Sequence, residues 1–194
     1  NLESILIGLG DRAARNRERF TLGGSTNKLP HIKYKIESKH NELELGEHSL
    51  GWLLSQYAFT NYLNKENKMA ALVKPDGINS LRIEKIAQGE VITRDLVNTP
   101  ANEMGPKELE EFVNSLAKIH GASTKSICGD QLLDSNFPMI HAVGRASIKP
   151  PRLIEMKWGN KGPTLTLVGK GVCFDTGGLN IKSGPGMALM KKDM

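Results

Sequence analysis

Two stretches of the chain repeat apolar residues every three or four positions, the spacing of one buried helical face. In "GEHSLGWLLSQYAFTNYL" the repeat falls on Leu50, Leu53, Leu54, Tyr57, Ala58 and Tyr62 and predicts a helix. Beyond Pro106 it falls on Leu109, Phe112, Val113 and Leu116, with the proline placed for a first helical turn and Gly121 for a stop. A further helix is expected from about Ser80 to Leu96; "NTPANEMGP" follows it, where Pro100 and Pro106 forbid continuous helix. Shorter apolar runs predict strands. "ESILIGLGD" reads as a buried strand entering a glycine turn, and "GGSTNKLPHIKYKIE" as a loop followed by an alternating strand. "AALVKPDG" reads as a strand closed by a Pro-Asp-Gly turn, and "RLIEMKW" with "TLTLVG" as adjacent strands joined through "GNKGP". "CGDQLLDSNFPMIHAVG" is left unassigned. Helices and strands mixed in this way indicate an α/β protein, with ligand sites expected beyond the carboxyl ends of its strands.

Composition narrows the class. The 194 residues are 39% hydrophobic, enough for a packed core. No apolar run approaches the length of a membrane span, and the opening lacks the basic-then-apolar order of a secretory signal. A cytoplasmic protein with no membrane association is therefore expected. Cys128 and Cys173 form no CxxC pair, so neither a disulfide framework nor a cysteine zinc site is supported, and a reducing compartment fits. The net charge of +5 raises nucleic acid as a partner. That role needs the surplus gathered on one element, whereas residues 1–85 hold 13 basic and 10 acidic side chains and residues 86–194 hold 13 and 11. Nucleic acid is disfavoured.

Two motifs invite chemistry. Gly8, Gly10 and Ala13 match a dinucleotide fingerprint, but the acidic residue such a unit needs at the end of a second strand is missing, and a glycine-dependent turn explains the match better. The last segment, "LVGKGVCFDTGGLNIKSGPGMALMKKDM", is richer. Lys170, Asp175, Lys182 and Asp193 lie in glycine-rich chain just past an apolar run, where an amine and a carboxylate could converge on one point. On spacing alone, a folded-back pocket and an exposed loop with ordinary surface charges remain open. The five histidines are scattered outside any metal-ligand pattern.

The same segment closely resembles the signature of the leucyl (cytosol) aminopeptidase family of two-metal exopeptidases. That signature reads approximately V-G-K-G-[LIVT]-x-F-D-[ST]-G-G-[LI]-x-[LI]-K, then a short spacer and M-K-x-D-M. Every charged position matches. "RDLVNTPANEMGP" and "VGRAS...PPRLIEMKW" resemble the stretches that lead into the family's catalytic domain, so the resemblance is strong over about residues 90–194 and looser before them. It implies the later part of an N-terminal α/β domain over 1–85. Over 86–194 it implies a linker helix and the first part of a mixed-sheet α/β metallo-exopeptidase catalytic domain.

Carried residue by residue, the resemblance implies Lys170 as a lysine metal ligand, Asp175 as the carboxylate bridging both metals, and Asp193 as a ligand of the more loosely held one. Lys182 matches the lysine that polarises the scissile carbonyl and stabilises the tetrahedral intermediate. The physics allows this division between two lysines: a ligating amine has to be neutral, which a nearby divalent cation favours, while an amine facing an oxyanion works charged. Two such ions would activate a bridging water, and the substrate's free amino group could bind one of them, restricting hydrolysis to N-terminal residues of peptides. Manganese or zinc is expected, with magnesium or cobalt compatible with the same donors. The family also implies bicarbonate as a general base and a homo-hexamer. Cys173, where many members carry threonine, is read as a small buried residue rather than a reactive thiol.

One departure matters. The family carries a later Asp-x-Glu-x-Arg segment that completes both metal sites, and these 194 residues contain no such pattern. The chain as given is expected to hold about half of an active site and to be inactive alone, either as a fragment or with a second chain supplying the rest. The alternatives are a nucleic-acid-binding regulator and a non-catalytic homologue on the same fold.

Overall fold

The computed structural model describes residues 4–37, 42–63, 68–173, 179 and 181–194, and divides into two compact units, Asn1–Asp95 and Leu96–Met194. It is a mixed α/β structure.

The first unit opens with an extended segment and helix α1 (Arg12–Arg17), started by Asp11, whose carboxylate accepts the Ala14 amide at 2.8 Å. Helix α2 (Thr21–Ser25) and a 3₁₀ turn (Thr26–Lys28) follow, then strand β1 (Lys33–Tyr34). Helix α3 (Glu42–Ser55) precedes strand β2 (Ala71–Leu72), which pairs in parallel with β1 in the register Lys33 with Ala71 and Tyr34 with Leu72. The core is Leu22, Leu29, Trp52 and Ala70, ringed by Ile7, Leu9, Tyr34, Ile36 and Leu72. Trp52 is 2% exposed, and its indole N–H donates to the Ala70 carbonyl at 3.0 Å, so burying the ring strands no polar group. Beside Trp52, α2 and α3 meet at glycines: a side chain on Gly23 would run into the backbone of Gly51.

Three expectations change here. Residues 23–28, read as a loop, form the end of α2 and the 3₁₀ turn. Residues 4–11 form no strand; Ile7 and Leu9 turn toward the core while Leu6 is 98% exposed, so the period-two pattern is present but finds no neighbouring strand to bond. The glycine turn itself stands, with Gly10 at φ +73°. Helix α3 ends at Ser55, short of Tyr57, Ala58 and Tyr62, and its buried face runs through His48, Ser49, Gly51 and Trp52. Leu50, Leu53 and Leu54 are only half-buried. The face is set by Gly51, which lets α2 close against that side of the helix.

Helix α4 (Ser80–Asn98) starts after the Gly77 turn and carries the boundary between the units near its end. Within the first unit, Arg94 lies over the Tyr57 ring and donates to the Leu54 carbonyl at 3.2 Å, while Tyr57 donates to Asp95 at 2.8 Å.

In the second unit, helix α5 (Pro106–His120) begins and ends where the proline and Gly121 predict. Gly121 is left-handed at φ +64°, and Ala122 N–H returns to the Ala117 carbonyl at 2.8 Å. Strand β3 (Ser123–Cys128) pairs antiparallel with β4 (Arg152–Lys157), from Ser123 opposite Lys157 to Cys128 opposite Arg152. Between them lie α6 (Gln131–Asp134), whose Leu132 is fully buried, and α7 (Pro138–Gly144). The unit ends in α8 (Gly184–Ala188) and a 3₁₀ turn (Met190–Asp193). The expected strand in "TLTLVG" does not form: Leu165, Leu167 and Val168 are 82%, 86% and 93% exposed, and β4 takes as its partner β3 instead. An alternating run becomes a strand only where another edge supplies its hydrogen bonds and a layer covers one face.

Candidate functional site

The signature segment meets the rest of its unit at two places. The first is the start of α5. Glu108 accepts the Gly105 amide at 3.0 Å, closing the helix N-terminus, and both of its carboxylate oxygens lie 3.0 Å from Lys149 Nζ. Lys149 also donates to the Asn102 carbonyl at 2.9 Å, so one ammonium clips the 99–105 connection to the helix. Gly105 is needed for this closeness, since a Cβ there would stand 2.7 Å from Lys149 Cδ. The Lys149 hydrogen bond, helped by the amide bonds, holds the Glu108 carboxyl below the ordinary glutamate range.

The chain returns to this helix at residues 171–173. A Cβ on Gly171 would lie 3.1 Å from Leu109 Cδ2, so glycine permits the segment to lie against α5. Cys173 is then 7% exposed, with its thiol directed to the Gly171 carbonyl. Burial pushes the thiol above its ordinary value; Lys191 and Lys149 oppose this and Glu108 adds to it. The reading of Cys173 as a small buried residue fits this environment, and a reactive thiol does not.

The second place is the last turn. Lys182 lies in a bend before α8, exposed, and its Nζ donates to Met190 Sδ at 3.0 Å, a contact between residues on either side of the helix. Asp193 belongs to the 3₁₀ turn that starts at Met190, the residue Lys182 contacts; the Asp193 side chain lies outside the described set. Lys170 sits in the exposed run before Gly171 and has no hydrogen-bond or ion-pair partner among the described residues. Asp175 lies outside the described residues, as do its neighbours Thr176, Gly177 and Gly178.

Among the described residues no three His, Cys, Asp or Glu side chains gather to hold a metal. A cleft of about 550 Å³ lies in the first unit, lined by Arg15, Arg19, Glu44, Glu47 and His48 among others, and takes in none of the candidate residues. His141 pairs with exposed Asp130 at 3.1 Å, away from the signature. Sequence reasoning passed over Glu108, Lys149 and Lys191. Glu108 was findable as the acid three residues after the residue preceding a helix-starting Pro; Lys149 carries no local signal, and Lys191 stands at the lysine of the M-K-x-D-M pattern, which does not name a partner 95 positions away.

Comparison with known proteins bears on this segment directly. The description of the cytosol aminopeptidase family, catalytic domain, matches residues 91–194. A curated relative from Geobacter sp. (strain M21), named "Probable cytosol aminopeptidase", is 30% identical over 213 residues, covering 98% of this chain and 43% of that protein. The crystal structure of cytosol aminopeptidase from Coxiella burnetii superimposes with a TM-score of 0.82 at 40% identity, over 91% of this chain and 39% of that one. The bottromycin maturation enzyme BotP, in complex with Mn, shares the fold at 20% identity with a TM-score of 0.59, over 73% of this chain and 32% of that one. The chain spans less than half the length of each of these three proteins.

Proposed function

The chain belongs to the cytosol aminopeptidase family, and from that premise we propose that it carries the N-terminal and metal-entry portion of a metal-dependent aminopeptidase that removes N-terminal residues from peptides. The observation that carries the reading is the spacing of Lys170, Asp175, Lys182 and Asp193, all four at signature positions within the matched range. Residues 1–85 are proposed as the later part of an N-terminal α/β domain, and 86–194 as a linker helix with the first part of the catalytic domain. A cytosolic homo-hexamer and a bicarbonate in the completed site belong to the same proposal.

The donor set is one amine and two carboxylates with no imidazole or thiolate, which suits hard to borderline divalent cations such as Mn²⁺ or Zn²⁺ and accommodates Mg²⁺ or Co²⁺. Lys170, Asp175 and Asp193 are the residues that would hold them; once bound, the ions supply an ionised water at neutral pH and an anchor for the substrate's amino group. Lys170 would take part through its amine nitrogen. Lys182, exposed on the bend before α8, can swing its ammonium from the Met190 sulfur to a developing oxyanion, because an N–H···S contact is weak and easily exchanged. Loss of one such donor costs about 10²–10³ in turnover.

The test is a polypeptide carrying these residues together with an Asp-x-Glu-x-Arg segment, assayed on N-terminal amino-acid amides with added Mn²⁺. Metal-dependent release is expected, abolished in Asp175→Ala. Lys182→Ala should lower turnover while retaining metal, and Asp193→Ala should lose metal first. Undiminished release in Asp175→Ala sinks the proposal, and equal metal loss in the Lys182 and Asp193 variants sinks the division of roles.

A further inference from the structure

Lys191, already met beside the Cys173 thiol, also anchors the last turn. It is half-buried, and its Nζ donates to the Leu96 carbonyl oxygen at 3.3 Å and contacts the Met194 sulfur. Leu96 lies in the last turn of α4. The amide that would donate to the Leu96 carbonyl in the helical ladder belongs to residue 100, which is proline and has no N–H. That carbonyl therefore lacks its ordinary helical donor, and a donor from elsewhere can satisfy it. The last turn of α4 also has no basic residue of its own, and a cation at this end is favoured by the helix dipole. Lys191 meets both requirements from 95 positions away.

We propose that Lys191 is a positioning residue for Asp193: by tying the 3₁₀ turn Met190–Asp193 to the carboxyl end of α4, it fixes the backbone from which that carboxylate projects. The inference rests on the reading of Asp193 as a metal ligand. A carboxylate on a short 3₁₀ turn has little of its own structure to hold it, since such turns bond poorly and fray. An outer contact that orients a ligand is worth about 10–100-fold in metal affinity.

The experiment measures Mn²⁺ affinity of the polypeptide carrying these residues together with an Asp-x-Glu-x-Arg segment by the electron paramagnetic resonance signal of free Mn²⁺, with amide hydrogen exchange at residues 96–98 and 190–194 as an independent readout. Lys191→Met keeps the aliphatic bulk without the donor, and Lys191→Arg keeps a donor. Asp193→Ala tests the underlying reading, and Lys161→Met, on an exposed loop, controls for net charge. Weakening by about tenfold or more in Lys191→Met, faster exchange in both segments together, recovery of both in Lys191→Arg and no change in Lys161→Met are expected. No Mn²⁺ binding by that unaltered polypeptide, or affinity unmoved by Asp193→Ala, overturns the ligand reading and this inference with it. Affinity lost in Asp193→Ala but kept in Lys191→Met overturns the inference alone. Loss in Lys191→Met without recovery in Lys191→Arg assigns Lys191 to packing and overturns it as well.

Discussion

Adjacent glycines in α2 should respond to the same substitution with opposite signs. A Cβ built on Gly23 stands 2.8 Å from the Gly51 carbonyl carbon and nearer still to its oxygen, whereas one built on Gly24 meets nothing within 4 Å. The obstacle at Gly23 is backbone in the middle of α3, next to Trp52 at the centre of the core, so it cannot step aside as a side chain could. Overpacking of this kind costs about 1–3 kcal/mol, and contact with backbone places it at the upper end. Alanine regains about 1 kcal/mol in helix propensity at either position. Gly23→Ala should therefore lose about 2 kcal/mol and Gly24→Ala gain about 0.5–1 kcal/mol, a spread near 3 kcal/mol. Urea unfolding followed by Trp52 fluorescence in a Trp158→Phe background reports on the first unit alone. With a urea slope of about 2 kcal/mol/M, the two midpoints should differ by about 1.5 M. Equal midpoints, or a higher midpoint for Gly23→Ala, would refute the close crossing of α2 and α3.

Other tests address the core and the clip at α5. Trp52→Phe keeps a ring in the core and removes the donor to Ala70; because Gln56 also donates to that carbonyl, the loss should be about 1 kcal/mol, read as a small midpoint shift in urea unfolding followed by circular dichroism. Glu108 has its carboxyl held below the ordinary 4.5, so its pairing contributes above that value and is lost as pH falls through the lower folded value. The difference in melting temperature between wild type and Glu108→Gln should be flat from about pH 5 to 7 and shrink on further acidification; a difference that grows in acid would be the wrong sign. Cys173, with its thiol pushed up by burial, should alkylate more slowly than free cysteine and require higher pH, measured by mass spectrometry of iodoacetamide-treated native chain. Rapid labelling of Cys173 near neutral pH would contradict its placement against α5.

The helices whose ends are marked locally were legible. Pro106, Gly121 and the apolar repeat between them define α5 from short-range sterics and periodicity, and α4 runs two residues past its expected end. The strands were less legible. "ESILIGLGD" and "TLTLVG" alternate as strands do, yet neither is paired among the described residues, while β3, with Lys125 and three hydroxyl side chains in six positions, pairs along its whole length. A strand is completed by its neighbour, which alternation cannot name. The stripe chosen for α3 missed Trp52 for a related reason, because Leu50, Leu53 and Leu54 form a plausible face until Gly51 admits another helix on the other side.

For the candidate site, the sequence alone determined which charged groups are present and at what spacing, since a signature is a property of order along the chain. It could not assign Lys149 and Lys191, whose partners lie 41 and 95 residues away. The tertiary structure decided that one clips the start of α5 and the other meets the carboxyl end of α4, where Pro100 removes the ordinary helical donor to the Leu96 carbonyl. Local sterics write themselves into neighbouring residues; a helix-end acceptor can be met by any donor the fold brings within reach, and only the folded chain shows which one arrives.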